Sequence, residues 1–218
     1  MENQKQYWDD AILDWEDYTY GEAKPRRALL VEKAARWFRG PNRRRRRLAM
    51  QIVREAKPEN VLELGCGSGG FAISMATQTS VRRVTGVDVS EQAIRVARKR
   101  AVSVNLSHKL SFIQSSVADL DFDKLKPFDF VVGLGLTPYL HEEEFDHLFR
   151  SVSNTSFFFD VHRKGFTFLN LAHALYRRIK QHPFYVQYSE KEIVGKLVGL
   201  GISDVKWKHW QGVYYIRH

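Results

Sequence analysis

Apolar positions recur along the chain in two rhythms. Short apolar runs at Val61–Leu64, Val84–Asp88, Leu110–Gln114, within Pro127–Leu136 and at Ser156–Val161 read as buried strands. The segments between them carry apolar residues at helical spacing, as Ile94, Ala97 and Ala101 do in Glu91–Ala101 and as Ile193, Leu197 and Leu200 do further on. Ser90 supplies a cap for the first of these helices, and Ser189 with Glu192 forms a capping box for the second, which Gly201 stops. Val205–Trp210 and Val213–Arg217, separated by Gln211-Gly212, predict a terminal antiparallel hairpin. Strand and helix alternate, so the expected fold is α/β with a doubly wound, mostly parallel sheet.

The first 57 residues break this rhythm. Residues 1 to about 25 concentrate aromatics and acids, among them Tyr7, Trp8, Asp9, Asp10, Trp15, Tyr18 and Tyr20. Two readings stand: a helix packed on the sheet through Trp8, Ile12 and Trp15, or a flap whose rings cover a ligand. Pro25 then opens a predicted helix over Arg27–Arg39 that Gly40-Pro41 should stop. Leu48, Ile52, Val53 and Ala56 predict another helix, with Arg43–Arg47 on its first turn, where cations oppose the helix dipole and call for an anion or acidic neighbours. The chain thus divides into an N-terminal helical flap and cap, 1–57, and a main domain, 58–218. Residues 163–188 form a helical insert in that domain, and Gly165–Gln181 read as a substrate lid, ordinary packing or a membrane-surface helix.

Chemistry concentrates where the first strand breaks into glycines, Glu63-Leu64-Gly65-Cys66-Gly67-Ser68-Gly69-Gly70. A strand, tight turn and helix start present free backbone N–H groups to a ligand, and glycine allows its close approach. Gly65, Gly67 and Gly70 satisfy a dinucleotide fingerprint, whereas Gly65, Gly67 and Gly69 satisfy another nucleoside-binding turn. Glu63 favours the second, because a carboxylate there repels a pyrophosphate and attracts a cation. Asp88, at the end of the second strand and 23 residues after Gly65, can accept both hydroxyls of a ribose. Cys66 reads as a small residue of the turn.

This acidic residue followed by G-x-G-x-G, with a second carboxylate ending the next strand, resembles motif I of the class I S-adenosylmethionine (SAM)-dependent methyltransferases. The resemblance covers about residues 58–218. It implies a Rossmann-like seven-stranded sheet, SAM as methyl donor and S-adenosylhomocysteine (SAH) as product. The implied cofactor residues are Glu63, Gly65, Cys66, Gly67 and Gly69 at the turn, Asp88 and Val89 at the ribose, Ser116 and Val117 at the adenine, and Gly133 and Leu134 beside them. The family's adenine-binding acid falls on Ser116, a departure for which Asp119 is the substitute. A further resemblance, carried by Trp15–Glu22, Val131–Tyr139 and the basic insert before Tyr188, is to magnesium-protoporphyrin O-methyltransferases and related small-molecule enzymes. It implies that Tyr20 and Tyr139 act near the acceptor, tyrosine replacing the family's histidine at the second position. His141, His162 and Tyr18 are further acceptor-side candidates.

Size and composition narrow the class. The 218 residues suit one α/β domain with a small elaboration, and the single cysteine excludes an internal disulfide and points to a reducing, cytoplasmic setting. No leader-like apolar segment opens the sequence, no apolar run is long enough to span a membrane, and no paired ligands at metal-binding spacing occur. The net charge of +9 admits an anionic small molecule, nucleic acid or an anionic membrane surface. The expected acceptor is an O or N atom of a small anionic or aromatic metabolite. An RNA methyltransferase contacting phosphates through Arg43–Arg47, and a SAM-binding scaffold without chemistry, are the alternatives. Leu136-Thr137-Pro138-Tyr139 keeps only the Pro-Tyr end of the (D/N)-P-P-(Y/F/W) signature of amino-base methylation. The oligomeric state is not legible.

Overall fold

The computed structural model describes residues 5–12, 29–165, 184–210 and 213–217. The strands are β1 (Asn60–Leu64), β2 (Arg83–Asp88), β3 (Leu110–Gln114), β4 (Phe130–Gly133), β5 (Ser156–His162), β6 (Lys206–Trp210) and β7 (Val213–Arg217). The helices are α1 (5–12), α2 (Leu29–Ala56), α3 (Gly70–Gln78), α4 (Glu91–Ser103), α5 (Glu142–Ser151) and α6 (Glu190–Gly199). The sheet order is β3-β2-β1-β4-β5-β7-β6. Strands β1 to β5 run parallel, and β7 pairs antiparallel with both β5 and β6. The order reverses between β1 and β4, which opens a crevice at the carboxyl ends of those strands.

Both sheet faces are covered, which explains why the strands read as continuous apolar runs. Val61, Val84, Phe130, Val132 and Phe158 pack with Ala49, Ile52 and Val53 of α2 and with residues of α3 and α4. Leu62, Leu64, Val131, Phe157 and Phe159 pack on the other face with Phe145 and Leu148 of α5 and with Ile193 and Leu197 of α6. Strand alternation puts Glu63, Asp88, Asp160 and His162 on the α2 side. The Ser90 cap forms, its hydroxyl accepting from the Ala93 N–H at 3.1 Å, as does the Ser189–Glu192 capping box.

One expectation fails. Gly40-Pro41 does not stop a helix: α2 runs unbroken from Leu29 to Ala56. Arg43–Arg47 consequently lie inside a long helix instead of on the first turn of a new one. Proline removes one backbone donor and crowds the preceding turn, but the following turns are held by core packing of Ala49, Met50, Ile52 and Val53 and by contacts of two arginines, and these tertiary terms override the local break. The expected helix within Gly165–Gln181, the segment bearing Tyr18 and Tyr20, and the Gln211-Gly212 turn lie outside the described residues.

Close packing sets the space behind the glycine turn. A Cβ on Gly86 of β2 would stand 2.7 Å from the Phe112 ring and 2.9 Å from Cys66 Sγ. Gly86→Ala is therefore expected to destabilise the fold by about 1–3 kcal/mol through overpacking, read as a lowered urea midpoint with an unchanged slope.

Candidate functional site

The glycine turn leaves β1 and is pinned to β2. The N–H groups of Gly65 and Cys66 both donate to the Val87 carbonyl, at 2.8 and 3.0 Å. Gly65, Gly67 and Gly69 have φ values of +70°, +53° and +77°, the left-handed region that a side chain would strain. Asp88 completes the turn: its Oδ2 accepts from the Gly67 N–H at 2.8 Å and its Oδ1 from the Ser90 N–H at 3.0 Å. Glu63 is buried on the same side of the sheet. Cys66 is buried against Gly86, as a small residue of the turn would be.

Around this turn the other expected cofactor residues line the same end of the sheet. Val89 follows β2, and its carbonyl accepts from Gln114 Nε2 at 3.2 Å. Ser116 and Asp119 form one small ring after β3, with Ser116 Oγ donating to Asp119 Oδ2 at 2.6 Å and the Asp119 N–H donating to Ser116 Oγ at 3.1 Å. A carboxylate thus stands beside Ser116. Val117 is buried beneath them. Gly133 ends β4 opposite Leu64 and Phe159, where a Cβ would strike the Phe159 ring, and Leu134 packs on the α2-side core.

These residues fit SAM. Two carboxylates at the ends of neighbouring strands beside a left-handed glycine turn make an anionic cradle with backbone donors, suited to a cationic nucleoside and hostile to a pyrophosphate.

The exits of β4 and β5 form a second, aromatic cluster. Tyr139, in the 3₁₀ turn Thr137–Tyr139, meets Trp8 of α1 edge-on at 5.0 Å and Tyr185 at 5.5 Å between ring centroids. Tyr185 Oη is hydrogen-bonded to His162 Nδ1. α1 is tied to the cofactor side as well, because Asp9 Oδ1 accepts from Ser90 Oγ at 2.7 Å and from the Gln92 N–H at 3.3 Å. Ile12 is buried while Trp8 reaches over the strand ends, so α1 combines features of the packed helix and of the flap.

Asp160 underlies this cluster. It is fully buried; Oδ1 accepts from the Gly135 N–H at 2.6 Å and Oδ2 from Arg45 Nη1 at 2.9 Å, and His162 Nε2 lies 3.7 Å from Oδ2. Burial pushes this carboxyl up, but the Arg45 guanidinium, the His162 ring and the Gly135 N–H outweigh it and bring the pKa down from 3.8 to about 2. The Asp160 carbonyl also accepts from Thr137 Oγ1 at 2.6 Å, fixing the turn that carries Tyr139.

Of the four expected catalytic residues, Tyr139 and His162 come together through Tyr185. His141 does not join them: it is exposed before α5 and stacks on Phe184 at 4.0 Å. Tyr20 lies outside the described residues. The arginine run also divides. Arg45 is buried on Asp160, and Arg46 donates to the Gly70 carbonyl and to Ser74 Oγ, so two of the five residues read as phosphate contacts are internal fasteners of α2. Asp9, Tyr185 and the Arg45–Asp160 pair carry no local sequence signature of their own roles. An acid inside the apolar run Phe157–Val161 was the one available signal, since a buried carboxylate demands a cation.

The sheet order and the anionic glycine turn define a class I methyltransferase fold. Residues 61–155 match the family model described as a methyltransferase domain. Among curated proteins, the chain is 32% identical over 106 residues to a release factor glutamine methyltransferase of Fusobacterium nucleatum, covering 48% of this chain and 28% of that protein. It is 33% identical over 84 residues to a demethylmenaquinone methyltransferase of Porphyromonas gingivalis, covering 38% of this chain and 34% of the relative. The matched stretch therefore spans about a third of these relatives. Among solved structures, magnesium protoporphyrin IX methyltransferase from Synechocystis PCC 6803 with bound SAH is similar with a TM-score of 0.71 at 18% identity, over 98% of this chain and 96% of that one.

The depressed pKa of Asp160 has a consequence for stability. Its ionised form is favoured by folding, so its contribution is complete above the unfolded-state value near 4 and is lost as pH falls through about 2. Asp160→Asn is expected to destabilise the protein near neutrality, with the gap to wild type narrowing by about 2 kcal/mol between pH 5 and pH 2 in chemical denaturation.

Proposed function

We propose that this protein transfers a methyl group from SAM to an oxygen or nitrogen atom of a small anionic or aromatic metabolite. The observation that carries this reading is the aromatic, histidine-bearing cluster of Trp8, Tyr139, Tyr185 and His162 at the exits of β4 and β5, beside the strand that carries the glycine turn. Bound SAM supplies an electrophilic methyl group that already carries its leaving group. The chain's own task is to align the acceptor, exclude water and remove a proton where the acceptor still holds one.

In this reading Glu63 and the Gly65–Gly69 turn, with Cys66 and Gly67, hold the methionine end, while Asp88 and Val89 take the ribose. Ser116, Val117 and Asp119 take the adenine, and Gly133 and Leu134 border the methyl. Residues 1–57 act as flap and cap over a main domain of 58–218, with 163–188 as its insert. Tyr139 and His162 serve the acceptor, and Tyr20 and His141 are further candidates. Two of the similar proteins are named for a metabolite, magnesium protoporphyrin for the Synechocystis neighbour and demethylmenaquinone for the Porphyromonas relative, and favour a metabolite acceptor, while the Fusobacterium relative is named for a release factor glutamine. The internal use of Arg45 and Arg46 weighs against the arginine run as a phosphate-binding strip for RNA.

Asp88 offers the direct test. Its carboxylate also holds the Gly67 and Ser90 N–H groups, so Asp88→Asn, which keeps the shape, is preferable to alanine. Asp88→Asn is expected to weaken SAM at least ~10-fold in calorimetric titration, about 1.4 kcal/mol, while the circular dichroism spectrum is retained. Unchanged SAM affinity in the folded variant would remove Asp88 from the cofactor site.

A further inference from the structure

Tyr185, His162 and Asp160 stand in line at the carboxyl end of β5, and their order has a chemical direction. The innermost member, Asp160, is a buried carboxylate held ionised by Arg45. Its Oδ2 faces His162 Nε2 at 3.7 Å, which favours the tautomer with the proton on Nε2 and leaves Nδ1 as an acceptor. Nδ1 is the atom bonded to Tyr185 Oη, so the phenol donates. The imidazole side chain is 23% exposed and Tyr185, the outer member, is half-buried, so the line opens toward the surface and not into the core.

The backbone fixes Tyr185 in this place. The Val186 N–H donates to the Pro138 carbonyl at 2.8 Å, and the Tyr188 N–H donates to the His162 carbonyl at 3.0 Å. The tyrosine is therefore clamped between the β4 exit turn and the end of β5, edge-on to Tyr139, which in turn meets Trp8.

We propose that these three residues form a proton-withdrawal relay, and that the acceptor is an aromatic hydroxyl. This rests on the methyltransferase reading above and deepens it. A carboxylate acceptor is already ionised at neutral pH, whereas a phenol, with a pKa of about 10, keeps its proton and needs a base. Tyr185 is the catalytic residue: its Oη takes the acceptor's hydroxyl proton as its own phenolic proton passes to His162 Nδ1. The acceptor oxygen uses its electron pair to form the new O–CH₃ bond, and the pair of the breaking C–S bond goes to sulfur. The positive charge lost from the sulfonium ends on the His162 imidazolium, where Asp160, a positioning residue, stabilises it. The rings of Tyr139 and Trp8 provide the apolar edges that an aromatic acceptor fits.

The test uses 4-nitrophenol, whose visible phenolate band reports its own ionisation, added to the full chain saturated with SAH and buffered about one unit below the free phenol's pKa. In the wild-type complex the bound probe is expected as phenolate. In Tyr185→Phe and in His162→Gln it is expected as the neutral phenol, a fall of about tenfold or more in the ratio of the two forms, with SAH affinity unchanged by calorimetry. A neutral probe in the wild-type complex, a cleft that takes no phenol, or variants that keep the phenolate band would overturn the relay. Failure of the wild-type protein to bind SAH would instead overturn the methyltransferase reading on which the relay rests.

Discussion

The Arg45–Asp160 pair ties the long helix α2 to the carboxyl end of β5. Asp160 sits in an apolar strand where an unpaired carboxylate would cost several kcal/mol, and the Arg45 guanidinium is the cation that makes its burial tolerable. Because Arg45 belongs to α2, the pair fastens that helix across the end of β5. Because Asp160 also accepts from the Gly135 N–H and, through its carbonyl, from Thr137 Oγ1, it sets the path of the β4 exit. Tyr139 rides on that path and His162 follows Asp160 by two residues, so the aromatic cluster at the exits of β4 and β5 takes part of its geometry from this ion pair. Such a pair is weak evidence for net stability, since a hydrophobic replacement can do as well. Its importance here is positional.

The same logic explains what could be read from the chain without its structure. The glycine turn was legible because its requirements are local: positive φ at Gly65, Gly67 and Gly69 and a carboxylate at each strand end are properties of a few adjacent residues. The strands were legible because both sheet faces are buried, which leaves nearly unbroken apolar runs between polar turns. Gly40-Pro41 is a breaker only locally: in the folded chain it competes with the packing of Ala49, Ile52 and Val53 and with the anchored arginines, which a short stretch of sequence does not display.

Tyr185 was not legible for the opposite reason. Nothing in Pro183–Tyr188 marks it as chemical. It becomes so only when the Val186 and Tyr188 N–H groups pair with carbonyls 48 and 26 residues away, at Pro138 and His162. Asp9 is similar, one acid among several near the start of the chain until its carboxylate meets Ser90 Oγ beyond β2. Local chemistry therefore marks the glycine turn and its carboxylates, while the aromatic cluster is assembled from distant pieces and shows itself only in the fold.

Charge behaves the same way. A net charge of +9 suggests an anionic partner, yet the cradle at the carboxyl ends of β1 and β2 carries the opposite sign, in Glu63 and Asp88. The conflict disappears once the densest cationic run is followed into the structure: Arg45 neutralises a buried acid, and Arg46 holds Gly70 and Ser74 of α3 while its guanidinium lies 5.6 Å from the Phe71 ring. Those charges act on the protein's own backbone and carboxylates. Electrostatic preference at the site is set by the few groups within it, because a charge beyond about one Debye length, roughly 8 Å in physiological salt, is largely screened. The sign of the whole chain and the sign of the Glu63–Asp88 cradle are thus independent quantities, and a ligand at the strand ends meets the second.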